Sequence, residues 1–208
     1  DGDMGPNTGG MGAYSPAPVV TGQVHQRVLE TVIGPTIDGM RKEGMAYIGF
    51  LYAGLMIDSK GYPYVIEFNC RLGDPETQPL MMRMRSDLVQ LCNATLDGEL
   101  SDTKIDFISD TALTVVLAAG GYPGDYETGD IILGLDSKKD GKVFHGSTKL
   151  VGDSIVTDGG RILGVTALGK SVLEAKQNAY KIVDKLDFSH KYYRSDIGHL
   201  GIARESLE

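Results

Sequence analysis

Glycine is the residue that most restricts this chain. There are 28 in 208 positions, against about 15 expected from average usage. Glycine loses more conformational freedom on folding than any other residue. A chain this rich in it is held to short elements, tight turns and close backbone approaches. The opening stretch, residues 1–22, holds six glycines and three prolines, with Asn7 and Ser15 among them. It can be neither a regular helix nor a central strand.

Between the glycines, apolar spacing predicts the elements. Val24, Val28 and Val32 recur at helical spacing, with Thr21 as N-cap and Gly44 as a stop. Pro35 should kink or divide that helix. Residues 47–57 read as a buried strand, Asp58-Ser59-Lys60-Gly61 as a turn, and 62–69 as the returning strand of a hairpin. A helix from Glu76 to Leu96 follows, lined by Leu80, Met84, Leu88, Leu91 and Thr95 and stopped by Gly98. Met81, Met82 and Met84 read as its core. Beyond a polar connector at 101–110 come short strands at 112–119, 130–135, 142–145 and 161–168. A last helix runs over 172–186, with a capping box at Ser171 and Glu174. Its stripe is Ala175, Ala179, Ile182 and Leu186. The fold class is α+β, in two lobes divided near residue 108.

Several functions are excluded early. The net charge of −8 argues against nucleic acid, whose partners carry basic faces. No apolar run reaches the roughly 18–20 residues that span a bilayer, and no signal peptide is visible. Cys70 and Cys92 form no C-x-x-C pair, which fits a reducing compartment; the expected location is the cytoplasm. His25, His145, His190 and His199 lack metal-ligand spacing and read as structural or surface residues. The Asp1-Gly2-Asp3 start, without Met, suggests a piece of a larger protein. Leu207-Glu208 reads as a cloning remnant outside the fold.

The chemistry concentrates at Val65-Ile66-Glu67-Phe68-Asn69-Cys70-Arg71. Side chains alternate along a strand. Glu67, Asn69 and Arg71 should therefore share one face, while Ile66, Phe68 and Cys70 point into the core. A carboxylate and an amide oxygen suit a hard cation such as Mg²⁺, which takes one or two protein oxygens and completes its shell with phosphate and water. Arg71 can neutralise a phosphoryl group or an acyl phosphate. The turn Leu72-Gly73-Asp74-Pro75-Glu76-Thr77-Gln78 adds two carboxylates directly after this triplet.

Taken together, E-F-N-C-R-L-G-D-P-E-T-Q resembles the signature of glycinamide ribonucleotide synthetases, ligases of the ATP-grasp superfamily. The opening DGDMGPNTGGMGAYSPAP is similar to the same family's Gly-rich loop. Ala118–Tyr126, Phe144–Lys149 and Asp196-Ile197-Gly198 also match. The resemblance runs nearly end to end. It implies the carboxyl-terminal part of an ATP-grasp domain over 1–108, an antiparallel sheet with helices, followed by a small mixed α/β domain over 109–206.

The resemblance further implies ATP-dependent joining of glycine to 5-phosphoribosylamine through glycyl phosphate, in purine biosynthesis. The small-molecule partners are glycine, 5-phosphoribosylamine and ATP, the cofactor Mg²⁺ or Mn²⁺, and the expected state a monomer. It makes Glu67 and Asn69 the metal ligands and Arg71 the catalytic cation. Gly9, Gly10, Met11 and Gly12 would wall the substrate site. Asp74 and Glu76 would receive an amine, although Glu76 equally suits a helix start. Lys149 and Arg161 would hold the ribose phosphate. One departure stands out: Ala53–Ile57, on the preceding strand, offers no further carboxylate ligand. The nucleotide-gripping lobe is expected upstream of Asp1, so the chain alone should be inactive. Rival expectations are a biotin carboxylase relative and a non-enzymatic phosphosugar-binding module.

Overall fold

The computed structural model describes residues 1–136 and 140–207; Glu208, of the Leu207-Glu208 pair read above as a cloning remnant, lies outside the described residues. The chain forms two compact units. The first gathers Asp1–Pro16, Asp74–Arg83 and Ser109–Glu208, and the second Ala17–Gly73 and Met84–Ile108. The linear division at 108 thus coincides with one crossing point, but residues 1–16 and 74–83 pack with the later half of the chain.

The first unit is built on a four-stranded antiparallel sheet. Its strands are β1 (Gly12–Ser15), β4 (Thr111–Ala118), β5 (Lys142–His145) and β8 (Arg161–Gly169), in the order β1-β4-β8-β5. Every residue of β4 is buried, as expected for a central strand covered on both faces. Helix α5 (Val172–Val183) packs on β4 and β8, and α3 (Thr77–Arg83) packs on β4, β8 and β1. The stripe Ala175, Ala179, Ile182 and Leu186 is buried, although Leu186 lies just past the helix end. Ser171 accepts a hydrogen bond from the Glu174 N–H at 3.1 Å, while the Glu174 carboxylate accepts from the Lys170 N–H at 2.5 Å. The capping box therefore closes one residue early. Two threonines interrupt the apolar strands, and they satisfy each other: Thr114 and Thr166 face across the ladder with hydroxyls 2.7 Å apart.

A second hairpin, β6 (Thr148–Val151) and β7 (Ser154–Thr157), and a closing helix α6 (His199–Glu205) were not anticipated. The strand expected over 130–135 reduces to isolated bridges at Ile131 and Leu133. The Gly-rich start does supply a strand, β1, but at the sheet edge.

The second unit holds α1 (Gly22–Val28), α2 (Gly34–Lys42), β2 (Tyr52–Ile57), β3 (Pro63–Asn69) and α4 (Leu88–Asp97). Thr21 caps α1 as expected. The expected helix is interrupted just before Pro35: a π-helical turn, Leu29–Ile33, joins α1 to α2, with Pro35 in the first turn of α2 and Gly34 N–H bonded to Leu29 O. Proline has no N–H to give the preceding turn; one residue on, the Thr36 hydroxyl donates to Val32 O at 2.7 Å.

Two expectations fail here. The single helix over 76–96 is two helices. After Arg83 the chain leaves the first unit, Met84 bridges to Phe107, and Asp87 starts α4 by accepting from the Val89 and Gln90 N–H groups at 2.8 and 3.1 Å. The apolar stripe is thus shared between units, with Leu80 in one and Met84, Leu88 and Leu91 in the other. Second, residues 47–57 are not a buried strand. The strand begins at Tyr52, and Ile48 is 65% exposed. Nor do Ile66, Phe68 and Cys70 enter a core; all three are exposed. A two-stranded hairpin has too little surface to cover a face by itself.

Candidate functional site

In the second unit, β2 and β3 pair with Gly54 opposite Glu67 and Tyr52 opposite Asn69. The register slips between Gly54 and Leu55, so that Ile66 has no partner and bulges from β3. The bulge re-aims the strand end. Gly54 permits a close approach here: a Cβ would lie 3.1 Å from the Glu67 side chain. The Asn69 amide N–H donates to Glu67 Oε1 at 2.9 Å. That bond fixes the two side chains together and leaves Asn69 Oδ1 and Glu67 Oε2 as oxygen donors. The set fits a hard divalent cation that takes few protein ligands. No group of three acidic, His or Cys side chains able to hold a metal occurs among the described residues, in keeping with the missing carboxylate on β2. Arg71 is exposed, and its guanidinium donates to Leu72 O at 2.9 Å.

In the first unit, Arg161 at the start of β8 organises a second cluster. Its guanidinium donates to Gly10 O (2.9 Å), Asp74 O (3.1 Å) and Asp74 Oδ2 (2.7 Å). The Gly9 N–H donates to the Tyr122 hydroxyl at 3.1 Å. Gly10 packs so closely on Pro75 that a Cβ would fall 2.3 Å from the ring. Gly9, Gly10, Asp74 and Arg161 are therefore brought together. Arg161 has spent three N–H···O bonds on the loop, leaving two of its five N–H donors. Asp74, Arg161, Tyr122, Tyr126, Ser147 and Gln78 line a cavity of about 250 Å³.

Other expected site residues lie elsewhere. Met11 is buried in the core, with its carbonyl bonded to the Val116 N–H, and Gly12 pairs with Val115 in β1. Gly12 packs on Ile197, while Met11 also lines a cavity with Asp3, Asn7, Tyr122 and Arg194. Glu76 stands just before α3, where its carbonyl accepts from the Leu80 N–H. Lys149 is exposed on β6, outside the cavity lining.

The amino-terminal loop is tethered by residues that sequence reasoning left without a role. Arg194 grips the Asp196 carboxylate with two bonds of 2.7 Å and reaches Asp3 at 2.8 Å. The Gly2 N–H donates to Asp196, and Asp1 accepts from Ser195. Hydrogen bonding from Arg194 holds the Asp196 carboxyl well below the usual carboxylate range. The Tyr180 hydroxyl, which donates to Arg194 O, is pushed up to about 12, chiefly by burial. The signal was present: Ala118–Tyr126 and Asp196-Ile197-Gly198 were family-like segments with no chemistry of their own.

The fold as a whole matches solved structures. A phosphoribosylamine–glycine ligase from Thermotoga maritima aligns with a TM-score of 0.83 at 37% identity, covering 94% of this chain and 48% of that one. The biotin carboxylase domain of a Hydrogenobacter thermophilus 2-oxoglutarate carboxylase aligns at 0.61 and 17% identity, over 94% of this chain and 42% of that one, a likeness of fold alone. The fold is that of an ATP-grasp protein. A model of the phosphoribosylglycinamide synthetase ATP-grasp (A) domain matches residues 1–77, and one of the same synthetase's C domain matches 112–200. The chain belongs to the phosphoribosylglycinamide synthetase family. Curated relatives named phosphoribosylamine–glycine ligase are 58% identical over 207 residues in Allochromatium vinosum and 60% over 207 in Yersinia pestis. These alignments take in 99% and 98% of this chain and 48% of each relative. The chain thus spans about half the length of the curated relatives it matches.

Proposed function

We propose that this chain carries the metal-ligand and sugar-side portion of an ATP-dependent ligase that joins glycine to 5-phosphoribosylamine. The observation that carries the reading is the Glu67–Asn69 pair, locked by its own hydrogen bond at the end of β3, in a chain nearly 60% identical to ligases of that name. Glu67 and Asn69 would hold Mg²⁺ or Mn²⁺, which supplies charge neutralisation for ATP phosphates. Arg71, exposed beside them in sequence, would meet the γ-phosphoryl group as the glycine carboxylate attacks it. The products of that step are glycyl phosphate and ADP. The amine of phosphoribosylamine then displaces phosphate. Asp74 would receive an amine, and Arg161 and Lys149 the ribose phosphate. The full ligation is proposed for the longer protein, acting in the cytoplasm as a monomer.

Glu67→Gln in that longer protein tests the reading. Turnover should fall by at least about a hundredfold, the scale of losing one electrostatic stabiliser, while the unfolding midpoint stays put. Activity within a few-fold of the parent removes Glu67 from the metal site.

A further inference from the structure

One buried polar side-chain atom among the described residues lacks a hydrogen-bond partner: Gln78 Oε1. Buried polar atoms are nearly always paired, and leaving one unpaired costs about 1–3 kcal/mol. Gln78 sits in the first turn of α3, and its amide lies over the sheet at Gly164, where a Cβ would come 3.5 Å from Gln78 Nε2. It also lines the 250 Å³ cavity beside Arg161 and Ser147. The protein therefore does not fix which way this amide points. Turning it by half a rotation about its last torsion exchanges oxygen and nitrogen, so either a donor or an acceptor can face the cavity. The other walls are a charged pair, Arg161 with Asp74, and two tilted aromatic rings, Tyr122 and Tyr126, with centroids 6.3 Å apart. Flat apolar walls, a cation and a neutral amide suit a small polyhydroxyl group that carries an anion.

We propose that Gln78 is a specificity-determining residue whose amide hydrogen-bonds the pentose hydroxyls of a phosphorylated sugar in this cavity. The assignment rests on the phosphoribosylamine reading above. A site built to pair with a hydroxyl discriminates strongly, because its own polar group is stranded when the hydroxyl is missing. The cost shows in the free protein as an oxygen without a partner.

The experiment titrates the 208-residue chain with D-ribose 5-phosphate by calorimetry, comparing the parent with Gln78→Leu. Leucine is close in size and removes the stranded oxygen. Affinity should fall at least fivefold while the unfolding midpoint stays level or rises. Gln78→Met carries the same test should the leucine variant not fold. A smaller loss of affinity overturns the role of Gln78 alone. A loss accompanied by a midpoint several degrees lower makes Gln78 structural and overturns it too. Absence of heat from the folded parent at millimolar sugar phosphate overturns the phosphosugar reading itself, and this assignment with it.

Discussion

The two units spend their apolar residues differently. The first closes a continuous core over its sheet, with Leu113, Leu117, Ile162, Val165, Val172 and Leu186 all at 0% exposure. In the second, among the described residues, Val24, Val32 and Leu91 are buried, while Ile48, Phe50, Met56, Ile66, Phe68 and Leu96 remain exposed. An apolar cleft of about 460 Å³ opens between Phe50, Leu91 and Phe107. Stability follows burial. The first unit should hold its structure alone, whereas the second, which carries Glu67 and Asn69, rests on helix caps and one hairpin.

The sharpest way to break this comparison is a matched pair of core truncations. Leu117→Ala should cost about 3–5 kcal/mol and protect fewer amides throughout β4 and β8. Leu91→Ala, beside an open cleft, should cost about half as much and leave the first unit's amides unchanged. Hydrogen exchange read by mass spectrometry separates the two; equal losses across both units mean that they unfold as one.

A smaller effect lies at the Arg194–Asp196 pair. Asp196→Asn should destabilise the first unit by about 2 kcal/mol at neutral pH, the scale of a charge-assisted bond. The sign with pH follows from the depressed carboxyl of Asp196. Its contribution is whole above the unfolded value near 3.9 and drains away as pH falls toward the lower folded value. Melting curves from pH 6 down to 2.5 should therefore converge for parent and variant. A constant gap would mean that the carboxyl is not held low.

The smallest effect is local. Asp87→Ala removes the cap of α4 and should cost about 1 kcal/mol, confined to the second unit. Exchange rates at Val89 and Gln90 should rise first, with β8 unaffected.

What could be read from the residues follows the same division. The helix stripe of α5 was legible because local spacing and tertiary burial agree there, and the caps at Thr21 and Ser171 because capping is a local signal. The hairpin that carries Glu67 and Asn69 was legible because its turn at 58–61 is signalled locally, whereas Arg71 lies beyond the end of β3. Two things were hidden. The apolar stripe from Leu80 to Leu91 has unbroken helical spacing, yet Ser86-Asp87 offers a start signal in its middle that only the passage between units makes decisive. The Arg161 clamp on Gly10 and Asp74 joins residues 151 and 87 positions apart, a pairing that no local pattern encodes.

The first unit takes its residues from three separate stretches of chain. A polypeptide begun at Ser109 would therefore contain the central strand β4 but not its neighbour β1, nor α3 with Gln78. One margin of β4 would then stand bare, an open template for any extended peptide able to mimic Gly12–Ser15. Severing this protein at its apparent seam would leave an adhesive remnant, and a soluble half calls for a cut that keeps the opening loop.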